Sequence, residues 1–394
     1  MLNFTVTLQL IAATSIIMWL ILFVFRGQFW RADQRLIETT ALLKNLPEIV
    51  IIIPARNEER LLRKSITSLL RQNYKGRMSI IIIDDNSSDN TRTIIQSLCK
   101  ENKNIQMIKG TKTSSGWTGK LWAMAQGVEL AKKIYPNAKY FLFTDSDIFH
   151  HTKNVTQLIA KAHTENLALV SLMVKLRCKS MWEVILIPAF IFFFQKLYPF
   201  SWVNDEKIPT GAAAGGCMIV NCKDLEKAGG LGIIKGAIID DCALAVLLKK
   251  NNPIWLGLTK STESLREYQS FLEIAQMVSR TAFVQLKFSI LNLFIAIIGM
   301  LIIYLMPFIC TLIGLTNQDT SLFTLGLAGW LMMFLAYIPT LKLYTRPIWE
   351  ASLLPTSAFL YVIMTIMSAC QYILNKEPNW KGRPMKKEKN APQE

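Results

Sequence analysis

Apolar residues follow two regimes along the chain. In residues 8–25, 288–315, 322–341 and 353–374 they run on without a charged side chain. As helices rising 1.5 Å per residue, these blocks are long enough to cross a hydrocarbon core of about 30 Å. Between them, from residue 45 to 285, short β-branched runs alternate with amphipathic stretches. IVIII (49–53), SIIII (79–83) and YFLFT (140–144) each stop at polar residues, the pattern of parallel strands covered on both faces. Residues 58–72 and 118–133 carry helical apolar spacing, as in Leu121, Met124, Ala125 and Val128. The alternation predicts a βαβ series, hence a doubly wound α/β sheet whose ligands gather beyond the strand C-termini.

The flanks of the apolar blocks give them a direction. Residues 8–25 read as a membrane anchor and not as a cleaved signal peptide, because no charged segment precedes them. Phe25, Arg26 and Trp30 also stand where small residues would mark a cleavage site. Arg26, Arg31 and Arg35 then place the central region in the cytoplasm. Four crossings would return the chain to the outer side, yet Lys376, Lys381, Arg383, Lys386, Lys387 and Lys389 of the tail favour the inside. A break at Pro307, making a re-entrant pair of block 288–315, is the alternative topology. Residues 182–202 hold eight aromatics behind Lys175, Arg177 and Lys179 and are too interrupted to span. They fit a helix lying in the headgroup region or a buried core helix. The chain thus divides into an anchor (1–30), an α/β domain (45–285), C-terminal membrane helices (286–375) and a basic tail (376–394).

Composition narrows the picture. Of 394 residues 51% are hydrophobic and 18% charged, which excludes disordered, collagenous and disulfide-stapled classes. The seven cysteines form no CxxC pair, and with the three histidines they show no zinc spacing. They read as reduced thiols. A net charge of +16 suits an anionic membrane surface or a phosphate-bearing substrate. No arginine-rich or RNA-binding motif supports nucleic acid as a partner.

Candidate chemistry lies at the strand ends. PARNEE (54–59) follows the first strand and DDNSSD (84–89) the second. Asn57, Glu58, Asp84 and Asp85 offer acceptors to a base or ribose, while Asn86, Ser87, Ser88 and Asp89 can cap the next helix. Either loop is equally readable as purely structural. In TDSDI (144–148), Asp145 and Asp147 project to one side of an extended chain and can share a hard cation whose other ligands are substrate phosphates. GWTGKLWAMAQGV (116–128) sets Lys120 in the first turn of a helix, where the backbone already favours a diphosphate; a snorkelling lysine is the plainer reading. GAIIDDCALAVLLKK holds Asp240 and Asp241 before a helix. Adjacent carboxylates repel, so one gains proton affinity and suits the task of deprotonating an acceptor hydroxyl; that one of the two serves only as a helix cap is the plainer reading. Arg266 and Arg280, close before the membrane, can neutralise a departing diphosphate or simply form a positive-inside flank.

Taken in order, PARNEE, the Asp84 and Asp85 pair, the Lys120 helix, TDSD, GAAAGGCMIV from Gly211 and IDDCAL resemble glycosyltransferase family 2, with its GT-A fold, over residues 47–285. The wording GWTGKLWAMAQG, QKLYPFSWVND, IWLGLT and MVSRTAF is similar to the bacterial hopene-associated glycosyltransferases and, more distantly, to ceramide glucosyltransferases. The resemblance implies that Pro54, Ala55, Asn57, Glu58 and Asp85 hold the nucleotide base and ribose, with Lys120 near its phosphates. Asp145 would touch the ribose or metal, and Asp147 would ligate a divalent cation, Mg2+ or Mn2+. Asp241 would be the base, Asp240 would occupy the Glu position of the family's Glu-Asp pair, and Arg280 would be the surviving residue of QxxRW. That signature reads here as Met277, Arg280 and Thr281, and the missing tryptophan argues against a processive polysaccharide synthase.

The expected protein is a membrane-anchored GT-A enzyme of mixed doubly wound sheet, with transmembrane helices at both ends. It would face the cytoplasm at the inner membrane of a bacterium. It would move one sugar from a nucleotide diphosphate sugar, a UDP-sugar in the first instance, to a lipid hydroxyl, as in hopanoid metabolism. The rivals are a polymerising synthase and a catalytically silent, nucleotide-binding membrane scaffold.

Overall fold

The computed structural model describes residues 2–36 and 46–374, together with the backbone of Asn379–Trp380 and Arg383–Pro384. The side chains of the basic tail lie outside the described residues. The chain forms two compact units. Of the described residues, one takes those up to Asp33, then Cys178–Ser201, then 268–374; the other takes Gln34–Arg177 and Trp202–Glu267, with the short pair Asn379–Trp380 and Arg383–Pro384.

After α1 (Leu2–Phe25), the second unit begins with β1 (Ile49–Ala55), α2 (Leu62–Leu70), β2 (Met78–Asp84), α3 (Thr91–Glu101), β3 (Ile105–Lys109), α4 (Gly119–Ile134) and β4 (Tyr140–Thr144). It continues through β5 (Ile148–His150), α5 (Asn154–Thr164) and β6 (Leu169–Lys175). The chain then forms α6 (Met181–Leu197) and α7 (Phe200–Asn204) before β7 (Cys217–Asn221), α8 (Cys222–Lys227), α9 (Asp240–Lys249) and β8 (Ile254–Ser264). The eight strands make one sheet in the order β3-β2-β1-β4-β7-β6-β8-β5. From β3 to β4 all neighbours are parallel; β7 runs antiparallel to both β4 and β6, β8 parallel to β6, and β5 antiparallel to β8. The doubly wound half is therefore joined to a mixed half.

The isoleucine runs explain the parallel half. Ile49, Ile51 and Ile53 pack with Leu62, Ile66 and Leu69 of α2 and Ile95 and Leu98 of α3, while the opposite face meets α4. There Gly127 lies so close that an added Cβ would stand 2.6 Å from Ile52 Cγ2. Each isoleucine of β1 is wholly buried, a contribution of about 2 kcal/mol apiece. With both faces covered, only the strand ends remain for chemistry.

The other unit contains α1, α6, α10 (Phe271–Gln285), α11 (Ile290–Met300), α12 (Met306–Thr316), α13 (Thr320–Leu343) and α14 (Leu354–Ile373). Phe4–Phe25, Ile290–Thr316, Thr320–Leu343 and Ile348–Ile373 are long and apolar enough to cross a membrane. Pro307 does not break its block. A π-helical turn, Leu301–Leu305, links α11 to α12 and absorbs the proline at the second position of α12. Proline has no N–H for the carbonyl four residues earlier, that of Ile303. That carbonyl instead accepts from Trp19 Nε1 of α1 at 3.0 Å, with Ser15 Oγ at 3.4 Å. The re-entrant alternative is thereby replaced by one continuous helix.

Of the two readings of residues 182–202, packing within the apolar unit holds for the centre of α6: Leu186, Ile187, Ala189, Ile191 and Phe192 are buried. The carbonyls of Ile185 and Leu186, just before Pro188, accept the hydroxyls of Ser357 and Tyr361 on α14. The helix starts with a capping box in which Glu183, fully buried, accepts the N–H groups of Lys179, Ser180 and Tyr268. Glu183→Ala leaves these donors unpaired and is expected to cost about 3 kcal/mol, to be read as a lower melting temperature of the detergent-solubilised protein.

Candidate active site

The loops after β1 and β2 are stitched to each other. Pro54 and Ala55 close β1 and are buried, and the Ala55 carbonyl accepts Asp85 N–H at 2.8 Å. Asn57 adopts φ +51°, a conformation that asparagine tolerates. Its N–H donates to Ser87 Oγ and its Oδ1 accepts Ser88 N–H at 2.9 Å. Glu58 N–H donates to Thr91 Oγ1 at 2.7 Å. Asp89 takes Glu59 N–H on one oxygen and Thr91 N–H on the other, so it serves the start of α3 as capping chemistry predicts. Asp84 accepts Ser87 N–H at 3.0 Å. Arg92 Nε lies 3.1 Å from its other oxygen, an ion pair whose N–H is not aimed at the acceptor. The Asp85 carboxylate is buried beside Gly110, where a Cβ would stand 3.3 Å from its Oδ1.

The second half of the site centres on Lys120, in the first turn of α4. Its Nζ lies 3.0 Å from Asp145 Oδ1 and 3.5 Å from Asp240 Oδ2. Burial by itself favours the neutral amine, but the charges of Asp145, Asp240 and Asp241 outweigh it and raise the ammonium's proton affinity. Asp241, at the start of α9, accepts Gly215 N–H on Oδ2 and Cys242 N–H on Oδ1, both at 2.8 Å. Burial and the repulsion of Asp240 push its carboxyl up to about 6, against the pull of Lys120 and the two N–H groups.

Asp147 closes the line. Arg266, just past β8, places Nε 2.7 Å from Asp147 Oδ2 and Nη2 3.0 Å from Glu58 Oε1. Burial raises the proton affinity of Asp147, Arg266 opposes this, and the charge of Asp145 adds to it. Glu58, Arg266, Asp147, Asp145, Lys120, Asp240 and Asp241 therefore form one continuous run of interacting charges beyond the sheet. Among the described residues no three His, Cys, Asp or Glu side chains form a ready-made metal cage. Asp145 and Asp147, the acids expected to share a cation, are engaged by different side chains, Asp145 by Lys120 and Asp147 by Arg266.

Several members escape sequence reading. Gly215 supplies the N–H that holds Asp241, and its own Cβ would lie 3.2 Å from Lys120 Nζ and 3.3 Å from Asp241 Oδ2. The glycine-rich wording flags the loop but not this contact. Ser171 of β6 pins the same loop through Ala214, and Thr144 through Gly216. Arg266 meets Glu58 and Asp147; Arg280 lies on α10. Gly215→Ala is expected to crowd both Lys120 Nζ and Asp241 Oδ2 and lower turnover about tenfold with the fold intact, as steady-state kinetics beside circular dichroism would show.

A parallel sheet extended by antiparallel strands, with acids at the strand ends, resembles the sheet of GT-A glycosyltransferases. Residues 50–229 match the family model described as glycosyl transferase family 2. Mannosyltransferase PcManGT from Pyrobaculum calidifontis, solved in complex with GDP-Man and Mn2+, shares the fold. It has a TM-score of 0.54 at 14% identity, over 94% of this chain and 100% of that one. Dolichyl-phosphate beta-glucosyltransferase of Saccharomyces cerevisiae is 31% identical over 140 residues, 32% of this chain and 40% of that protein. GalNAc(5)-diNAcBac-PP-undecaprenol beta-1,3-glucosyltransferase of Campylobacter jejuni is 35% identical over 74 residues, 19% and 24% of the two. An uncharacterized protein of Methanocaldococcus jannaschii is 31% identical over 119 residues, 30% and 48%. The chain spans less than half the length of each of these three relatives.

Proposed function

We propose that the protein is a membrane-anchored, inverting glycosyltransferase that moves one sugar from a nucleotide diphosphate sugar, a UDP-sugar in the first instance, to a lipid hydroxyl. The cytoplasmic membrane of a bacterium is its place, with the sheet facing the cytoplasm, and a hopanoid is the narrower form of the acceptor. The observation that carries this reading is the convergence of Asp145, Asp240 and Asp241 on Lys120. It puts a carboxylate of raised proton affinity beside a cation suited to phosphate.

In the reaction Asp241 takes the proton of the acceptor hydroxyl while the acceptor oxygen bonds to the anomeric carbon. The bond from that carbon to the diphosphate breaks, its electron pair leaves with the diphosphate, and the sugar passes through an oxocarbenium-like state with inversion. Lys120 offsets charge on the leaving group. Pro54, Ala55, Asn57, Glu58 and Asp85 border the space for base and ribose. Arg280 is assigned by family resemblance to the same leaving charge. Mg2+ or Mn2+, held by Asp145 and Asp147, would neutralise the diphosphate further.

Asp147→Ala is expected to abolish the gain in nucleotide affinity that Mn2+ gives, measured by titrating UDP with and without the metal. The activity itself is tested by incubating the solubilised protein with a panel of sugar nucleotides and a lipid extract, then reading glycosylated lipids by mass spectrometry. A lipid phosphate acceptor is the second reading, favoured by the relative named for dolichyl phosphate. An ionised phosphate needs no base, so a carboxyl tuned to about 6 favours the hydroxyl. The mass of the product separates the two.

A further inference from the structure

Behind the two acids of TDSD sits a buried histidine to which the mechanism gives no task. His150 ends β5 and is 1% exposed. Its backbone N–H donates to Ser68 Oγ at 3.0 Å and its carbonyl accepts from Gln72 Nε2 at 3.2 Å. On the ring, Asn154 Nδ2 lies 3.0 Å from Nδ1 and Thr144 Oγ1 lies 3.0 Å from Nε2.

The protons can be placed by accounting. Asn154 Oδ1 accepts the hydroxyls of Ser261 and Thr262, each at 3.0 Å, so its Nδ2 is the donor to His150 Nδ1. The ring proton therefore sits on Nε2 and is donated to Thr144 Oγ1. The Thr144 hydroxyl in turn donates to the Gly216 carbonyl at 2.8 Å. Burial, with His151 adding to it, pushes the imidazole down to about 3. The ring is a fixed neutral donor and carries no proton in the reaction.

The two ends of this line are the two sides of the site. Thr144 directly precedes Asp145, and Gly216 directly follows Gly215, whose N–H holds Asp241. Gly216 packs closely there, with no room for a side chain, since a Cβ would stand 2.5 Å from Val174 Cγ2. We infer that His150 and Thr144 are positioning residues that fix the loop of Asp145 and Asp147 against the loop that holds Asp241, so that cation side and base side keep one spacing. This rests on the glycosyltransferase reading above.

Thr144→Val keeps the shape of the side chain and removes its hydroxyl, and Thr144→Ser restores the hydroxyl. In the full-length, detergent-solubilised protein two quantities are read: kcat and KM for nucleotide release, and the factor by which Mn2+ tightens UDP binding, which needs no turnover. For Thr144→Val, kcat falls about tenfold with donor KM within about twofold, the Mn2+ factor falls about threefold, and Thr144→Ser returns both to within about twofold of wild type. Wild-type values for the valine variant in both readouts would overturn the inference. So would a serine variant that fails to rescue while melting temperature and UDP affinity fall together, which marks mere packing. If wild type releases no nucleotide from any donor, the glycosyltransferase reading falls, and the Mn2+ arm still judges the positioning. UDP binding indifferent to Mn2+ in wild type overturns the inference, since there is then no cation side to position, while nucleotide release by wild type leaves the glycosyltransferase reading standing.

Discussion

Turnover is expected to fall about a thousandfold when Asp241 is replaced by asparagine, with UDP affinity held within about threefold. The amide cannot take the acceptor's proton. Both oxygens of Asp241 accept backbone N–H groups, from Gly215 and Cys242, so an asparagine must turn its own NH2 toward one of them. The variant therefore also melts somewhat lower, and the UDP titration establishes that the site survives. In wild type the same carboxyl sets the acid limb. Its proton affinity is raised in the folded protein, so it is protonated below about pH 6 and ionised above. The value of kcat/KM, which reports the free enzyme, should climb through that region and level off by neutrality. Asp241→Asn should lose this limb; a variant that keeps both rate and limb would remove Asp241 from its role.

The second large effect belongs to Lys120. Lys120→Met leaves Asp145, Asp240 and Asp241 facing one another with their shared cation gone. Stranding a buried charge in this way costs about 3 to 5 kcal/mol, and turnover should drop by a factor on the order of a hundred to a thousand. The pH dependence has a definite sign. Lys120 lowers the proton affinity of Asp241, so its loss raises that affinity further. A carboxyl whose folded proton affinity exceeds its unfolded value weakens the fold increasingly as pH rises from the unfolded value to the folded one. The methionine variant should accordingly be closest to wild type in stability near pH 5 and furthest from it near pH 8. Melting curves across that range check this, and a constant deficit would mean that the three acids do not share the lysine.

The sequence makes the parallel half of the sheet legible because Ile49–Ile53 and its counterparts must be buried on two faces, and their polar ends then mark the ligand edge. The boundaries shift by only a few residues: β1 runs on through Pro54 and Ala55, and β2 takes in Asp84. The mixed half is harder to read. β5 is three residues long and β8 mixes Trp255 and Leu256 with Lys260 and Glu263, so neither has a clean period, and Arg266, which follows β8, could not be placed beside Asp147. Gly215 and Thr144 act through a backbone N–H and a hydroxyl, groups that carry no pattern of their own along a chain. Asn57 reads as an acceptor for a ligand because its residue type allows it. That its Oδ1 also accepts Ser88 N–H, and so joins the two loops, is a contact only the fold reveals.

The bond from Trp19 to the Ile303 carbonyl bears on how this protein can be handled. The first helix looks like a tether that could be trimmed to obtain a simpler, more tractable chain. Clipping it would strip a tryptophan that is wholly buried and leave the Ile303 carbonyl, for which Pro307 four residues on has no N–H, without its donors, a costly state for a buried polar group. The N-terminal helix is thus a structural partner of the C-terminal ones, and a trimmed chain is a damaged one.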